Sequence, residues 1–279
     1  MKMKTRRRIL EILLITLLSI GAMITMVPFL FMISTALKGK AYAFEYPPLL
    51  IPENPILDNF TTAWTRNNFD LYFLNSIIVS VISVLSILLL ASMMAFAFAR
   101  YQFIGKKILY GIVIFFMTLP PLILIIPQFI VARDLKLTDN LAGLIFWNIA
   151  INLPFAVFLL RGFLEEIPKE IEEAAHIDGA SPWATYWNVI LPLCKPALAT
   201  SATLAFLSAW DEYVWANTTI NTPELRTLPV AIATYQGAHI TNWGNIFAAS
   251  LIAVVPVLIL FILLQKFYIK GMVAGAVKG

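Results

Sequence analysis

The chain has 279 residues, of which 60% are apolar and only 13% charged, and its formal charge is +4. A soluble domain carries roughly a quarter charged residues, and a fold of this size has too little interior to hide so much apolar surface, so the solvent must be a bilayer. The single cysteine, Cys194, excludes an intramolecular disulfide framework and reads as a packing residue.

Five basic residues (Lys2, Lys4, Arg6, Arg7 and Arg8) precede the first apolar run, Ile9–Leu37. With Ala41-Tyr42-Ala43 behind it, this start imitates a secretory signal with its cleavage site. The run is about twice the usual signal core of 7–15 residues, so a retained span is expected. Lys38–Asp70 contains Pro47, Pro48, Pro52 and Pro55 and reads as an extended strap. Leu71–Ala99 and Ile108–Ala132 are the next spans. The third is interrupted by Pro120, Pro121 and Pro127, which free carbonyls and favour kinks. The fourth, Leu141–Leu160, carries Pro154. It also holds Asn148 and Asn152, four apart and so on one helix face. Polar groups inside spans usually face the bundle interior. These amides could hydrogen-bond a polar solute or simply link helices.

Glu172–Pro192 is a soluble-looking island between apolar segments. Pro168 suits the first turn of a helix, after which Ile167, Ile171, Ala174 and Ala175 share one face. Asp178-Gly179 reads as a stop, because Gly tolerates the left-handed conformation that closes a helix. Ser181 can cap a second short helix and Pro182 can open it. Trp183, Tyr186, Trp187 and Ile190 line one face of that helix before Pro192 ends it. The segment Arg161–Pro192 has two basic residues (Arg161, Lys169) against six acidic ones (Glu165, Glu166, Glu170, Glu172, Glu173, Asp178), a net of −4. Charges alone would describe a solvated loop, but the flanking tryptophans favour docking of a partner.

Pro196–Ala216 is the fifth span. Near its far end Asp211 and Glu212 lie among Trp210, Tyr213 and Trp215. They read either as wetted carboxylates in an interfacial aromatic belt or as part of a gate or partner contact. Asn217–Asn245 is longer than topology requires, and Ile246–Phe267 is the sixth span. Gly271–Gly279 is a Gly- and Ala-rich tail. Six crossings of roughly 20 residues suffice for about 30 Å of hydrocarbon at about 1.5 Å per residue. Their orientation follows from Lys and Arg: with the N-terminus in the cytoplasm, 14 of the 20 fall in inside segments and 6 outside. Both termini and the Glu172–Pro192 island are therefore expected in the cytoplasm.

No G-x-x-x-x-G-K-[ST] loop occurs, so the chain itself should not bind ATP. With His176 and His239 the only histidines, no metal-ligand spacing and no nucleophile–base pair is evident. The expectation is no catalytic residue, no metal and no enzymatic activity. Nothing resembles a nucleic-acid module, since the basic residues follow membrane topology instead of forming a stripe.

Glu173-Ala174-Ala175, then Gly179, then Leu191-Pro192 at its distance, resembles the EAA motif of permease subunits in bacterial and archaeal ABC importers, with Val189 where the motif usually has Ile. Trp243-Gly244, Ala248-Ala249-Ser250, Val255-Pro256-Val257 and the end Gly271–Gly279 resemble carbohydrate importers, more narrowly the smaller permease of maltose-type systems. Trp210-Asp211-Glu212-Tyr213 is similar to a Trp-Asn-Glu-aromatic element there, with Asp211 in place of Asn.

The resemblance implies an all-α transmembrane protein, a six-helix ABC importer permease bundle with cytoplasmic coupling helices. It implies a second homologous permease, two cytoplasmic ATPase subunits that carry ATP and Mg, an extracytoplasmic solute-binding protein, and a sugar or oligosaccharide as cargo. The location implied is the cytoplasmic (inner) membrane of a bacterium or archaeon. Glu173, Ala174, Ala175, Asp178, Gly179, Trp183, Leu191 and Pro192 would form the ATPase-coupling element, with Glu173 facing a basic residue of the ATPase cleft. Asn148, Asn152, Asp211 and Glu212 are candidates for the substrate pathway, and Tyr235, Gln236 and Asn242 for binding-protein contact. The expected organisation is 1–37 (tail and first span), 38–70 (extracytoplasmic loop), 71–270 (core, with the EAA loop at 161–192 and a loop at 217–245) and 271–279 (cytoplasmic tail). The same architecture carrying a non-sugar solute, a membrane scaffold and a secondary transporter are the alternatives. For the last of these, no inverted repeat of hydropathy is evident.

Overall fold

The computed structural model describes residues 2–39, 51–65, 68–234 and 242–276, and among them it contains helices and no strand. In chain order these are α1 (Lys2–Ala36), α2 (Asp58–Thr65), α3 (Phe69–Arg100), α4 (Lys106–Thr118), α5 (Ile125–Asp134), α6 (Leu141–Glu166), α7 (Glu170–Ile177), α8 (Pro182–Thr185), α9 (Leu191–Leu193), α10 (Lys195–Trp210), α11 (Val214–Thr219), α12 (Leu228–Thr234) and α13 (Trp243–Ala276). Four helices (α1, α3, α6 and α13) are long and apolar enough to cross a bilayer alone, and the count reaches six if each of two bent helix pairs is one crossing. The α13 backbone is helical as far as Ala276.

The third span is not one helix. α4 and the segment Pro121–Asp134 meet at 97°. Pro120 and Pro121 lack the N–H that would continue the ladder, and a residue before proline is pushed out of the helical region. Leu119 (φ −83°, ψ 120°) and Pro120 (φ −64°, ψ 124°) are accordingly extended. Single prolines have a milder effect: Pro28, Pro154 and Pro256 each lie inside a continuous helix. A cavity of about 280 Å³, lined by Phe116, Leu119, Pro121, Gln128, Ile151 and Pro154, opens beside the break. The fifth span also differs from expectation. α10 has only 16 residues, about 24 Å of helix, and its chain breaks at Asp211–Tyr213 before α11.

The chain divides into two compact units, one of residues 1–69 and 232–254, the other of residues 70–231 and 255–279. In the first, α1 leaves residues 8–30 exposed all round, as a lipid-facing helix does, while Ser34, Thr35 and Ala36 at its end are buried. Its end is held by Asn59, a buried α2 residue whose Nδ2 donates to Ala36 O (2.9 Å) and Lys38 O (2.6 Å). The start of α13 lies against the same side chain. A Cβ on Gly244 would come within 2.6 Å of Asn59 Nδ2, so the absence of a side chain is what allows the approach.

The second unit has two apolar clusters, toward opposite ends of α3. One gathers Ile87, Ala91, Ala95, Phe96 and Phe98 of α3 with Ala156, Val157, Leu160 and Leu164 of α6, Tyr186, Ile190 and Cys194 of the segment leading into α10, and Ala197 and Ala205. Cys194 is a free, buried thiol within it. The other joins Val79 with Ala132, Leu144, Trp215, Ala216, Ile220 and Val230.

Candidate functional site: the elbow at Gly179

The acidic island forms a helix–turn–helix elbow. α7 begins at Glu170, two residues beyond Pro168, and Glu170, Glu172 and Glu173 in its first turn complement the positive end of the helix dipole. Gly179 closes it in the left-handed region (φ +85°). Its N–H donates to His176 O (3.0 Å) and Ala180 N–H donates to Ala175 O (2.9 Å). These two bonds are the paired closure of a Schellman motif, which satisfies carbonyls that would otherwise lack partners. Ser181 caps the next helix as expected, its Oγ accepting from Ala184 N–H at 3.2 Å.

Beyond Thr185 the chain widens into one π turn, Tyr186–Ile190, a local form that often marks functional segments. Pro192 does not end the run. It sits in α9, where a first-turn proline loses no bond, and the direction changes by 75° at Cys194 instead. The expected apolar face is divided. Tyr186 and Ile190 are buried, whereas Trp183 is 58% and Ile177 87% exposed. Glu173, Ala174, His176, Asp178, Gly179, Trp187 and Pro192 are exposed as well, with Ala175 and Leu191 half-buried.

Neighbouring carboxylates take opposite roles. Glu173 points to solvent, while Glu172 turns inward to an ion pair with Arg100, their side chains only 14% and 7% exposed. Arg100 Nη2 also donates to Ile167 O at 2.9 Å. Nearby, the Tyr186 hydroxyl hydrogen-bonds Ser92 Oγ (2.8 Å), and its ring lies 5.2 Å from that of Phe96. A cavity of about 290 Å³ is lined by Met93, Phe96, Tyr101, Pro182, Trp183 and Tyr186. The sequence reading missed Arg100, Glu172, Ser92 and Tyr186 as a group. The only signal was Arg100, a lone cation ending a long apolar run.

The family pattern described as "Binding-protein-dependent transport system inner membrane component" matches residues 87–273, a stretch that contains the whole elbow. The chain belongs to that family. The permease is 34% identical to the melibiose/raffinose/stachyose import permease protein MelC of Bacillus subtilis, over 95% of this chain and 96% of that one. It is also 34% identical to the sulfoquinovosyl glycerol transport system permease protein SmoH of Agrobacterium fabrum, over 90% and 88%. Among solved structures, it is similar to a chain in the crystal structure of a bacterial ABC transporter involved in the import of the acidic polysaccharide alginate. The TM-score is 0.80 and the identity 25%, and 94% of this chain and 97% of that one are covered.

The remaining candidates of the permease are spread along it. Asn148 is buried, its Nδ2 donating to Leu144 O (2.9 Å) and its Oδ1 without a partner among the described residues. Asn152 Nδ2 donates to Asn148 O (2.9 Å), so both amide nitrogens bond back to their own helix. Asp211 is exposed. Glu212 caps α11, accepting from Trp215 N–H (2.6 Å) and Ala216 N–H (2.9 Å). Asn242 likewise caps α13, its Oδ1 accepting from Asn245 N–H at 3.2 Å. Tyr235 and Gln236 lie outside the described residues.

Proposed function

We propose that this permease is the membrane subunit of an ATP-driven importer for a sugar or oligosaccharide, and that the Gly179 elbow receives the motion of a separate ATPase. The observation that carries the reading is the elbow's construction. A helix turn closed by backbone bonds and anchored from behind by a part-buried ion pair leaves Glu173, Ile177 and Trp183 exposed. Large apolar and aromatic side chains on a rigid projection are the anchors of an interface. Glu173 would meet a basic group of the partner, and the elbow and both termini would lie in the cytoplasm, as the Lys and Arg distribution requires.

ATP and Mg belong to the ATPase pair in this reading. Closure of that pair moves the elbow as a rigid body, and the spans of this chain and a second permease then rock to open the pathway outward. Hydrolysis reverses the motion. A binding protein would deliver the cargo, with Tyr235, Gln236 and Asn242 as contact candidates. Asn148, Asn152, Asp211 and Glu212 remain the candidates for lining the pathway. Carbohydrate is supported by MelC and by the alginate importer, both described as importing saccharides.

The test replaces Glu173 with Lys, and Gly179 with Pro, in the assembled transporter. Uptake of a panel of radiolabelled melibiose, raffinose, amino acids and phosphate is measured together with ATPase co-purification. Both variants should insert in the membrane yet lose uptake, and Glu173→Lys should release the ATPase. Normal uptake in Gly179→Pro refutes the elbow's role, and uptake of only non-sugar solutes refutes carbohydrate as cargo.

A further inference from the structure

The elbow is continuous in sequence with α6 and α10, which makes them the obvious receivers of its motion. Its apolar side chains do pack with α6 and α10, but its polar anchors are on α3. Ser92, Phe96 and Arg100 of α3 are spaced i, i+4, i+8 and therefore form one stripe, and all three grip the elbow. Arg100 holds Glu172 and Ile167 O, Ser92 holds the Tyr186 hydroxyl, and Phe96 packs on the Tyr186 ring. Both halves of the elbow, before and after Gly179, are thus fastened to a helix 72 to 94 residues away in sequence.

The far end of the same helix is fastened too. Asn75 Nδ2 donates to Glu224 O (2.8 Å) and Arg226 O (2.9 Å), and Ser76 Oγ accepts from Leu228 N–H (2.7 Å). Between Ser76 and Arg100 the helix runs about 36 Å with no proline and no glycine. α6, by contrast, holds Gly143, Pro154 and Gly162, and α10 meets the elbow through a 75° bend. Proline and glycine are where helices bend, and a bent path passes on a push along its axis less directly than a straight one.

We propose that α3 is the rod that carries the elbow's displacement, taking it up through Ser92, Phe96 and Arg100 and delivering it to the 224–228 segment through Asn75 and Ser76. These are positioning residues, acting through Glu172 and Tyr186. The proposal rests on the elbow being the contact for an ATPase, and the experiment separates the two ideas.

The assembled transporter (this permease, its second permease and the ATPase pair) is placed in vesicles with Glu224, an exposed residue, replaced by Cys. Its modification rate by a membrane-impermeant maleimide is read on this subunit with and without ATP, Mg and vanadate. The native Cys194 is buried and gives little background. Nucleotide should change the rate at Glu224→Cys. Adding Tyr186→Phe, which removes only a hydroxyl, should shrink that change about fivefold, the worth of one neutral hydrogen bond. Arg100→Ala and Asn75→Leu should nearly abolish it, with ATP hydrolysis and subunit stoichiometry retained in Asn75→Leu, whose side chain bonds the 224–226 backbone and not the elbow.

A purely structural role would lower assembly and hydrolysis together and leave the response of the surviving complexes intact. That result overturns the rod, as does a full response in Tyr186→Phe, which decides alone if Arg100→Ala fails to assemble. Absence of any nucleotide response in the parent, with the ATPase bound at the elbow, overturns the rod and spares the elbow. Failure of the ATPase to bind the permease overturns both.

Discussion

Asp139 and Thr222, 83 residues apart, are fastened by two hydrogen bonds: the Thr222 hydroxyl and N–H donate to the Asp139 carboxylate at 2.6 and 2.8 Å. Asn221 N–H adds a third at 2.9 Å, and Asp139 N–H donates to Thr219 O at 2.8 Å. The turn between α5 and α6 and the turn after α11 are thereby joined. Asp139 itself adopts a positive φ of 53°, which aspartate tolerates better than most side chains.

This clasp predicts a pH dependence. The Thr222 hydroxyl first, then the Thr222 and Asn221 amides, hold the Asp139 carboxyl below the usual carboxylate range. A depressed folded-state pKa stabilises the fold above the unfolded value of 3.8, and the effect is lost as pH falls through the folded pKa. The thermal midpoint of Asp139→Ala in detergent should lie below that of the parent at pH 7. The gap should close as the solution is acidified below about pH 4. A gap of constant size from pH 7 to pH 3 would show that the carboxylate charge plays no part.

At Gly179 the requirement is conformational, so replacements should rank by their tolerance of φ +85°. Uptake should fall in the order Asn, Ala, Val. Asparagine enters the left-handed region most readily, and the strain for an ordinary side chain is about 1–2 kcal/mol. If Val performs as well as Asn, the left-handed turn is not what matters there.

The close approach of Gly244 to Asn59 sets a third expectation. Gly244→Ala forces Asn59 to move, although Asn59 is buried and holds two carbonyls. A loss of about 1–3 kcal/mol follows from overpacking of this kind. In an Asn59→Ser background the added methyl finds room, so the second penalty should be smaller than the first, the non-additivity that touching residues show. Strict additivity in thermal unfolding would place the effect elsewhere.

Ile177 and Trp183 separate stability from function. Ile177 is 87% exposed, so its replacement by Ala should alter unfolding by less than about 0.5 kcal/mol, while Trp183, whose ring stacks on Tyr186, should cost about 0.5–1.5 kcal/mol. The same changes should weaken ATPase co-purification by about tenfold or more if the pair anchors an interface. A stable variant that still retains the ATPase fully would remove that side chain from the docking surface.

Much of this permease was legible in one dimension because the governing physics is local. A 60% apolar composition, the helix spacing of apolar residues, Ser181 before Pro182, and a glycine after Asp178 each act within a few residues of their own position. Helices, the elbow and its caps therefore followed from the chain directly, and the double proline at 120–121 announced a break, though not its 97° angle.

Tertiary packing decided the rest. Glu172 and Glu173 are chemically alike, but successive residues on a helix point about 100° apart, and only the position of α3 determines that one meets Arg100 while the other meets solvent. Likewise Glu212 and Asn242 carry polar groups equally suited to a ligand, and nearby backbone N–H groups made them caps. Which polar side chain faces a partner, and which is consumed inside the fold, depends on what the folded chain places within about 3 Å of it.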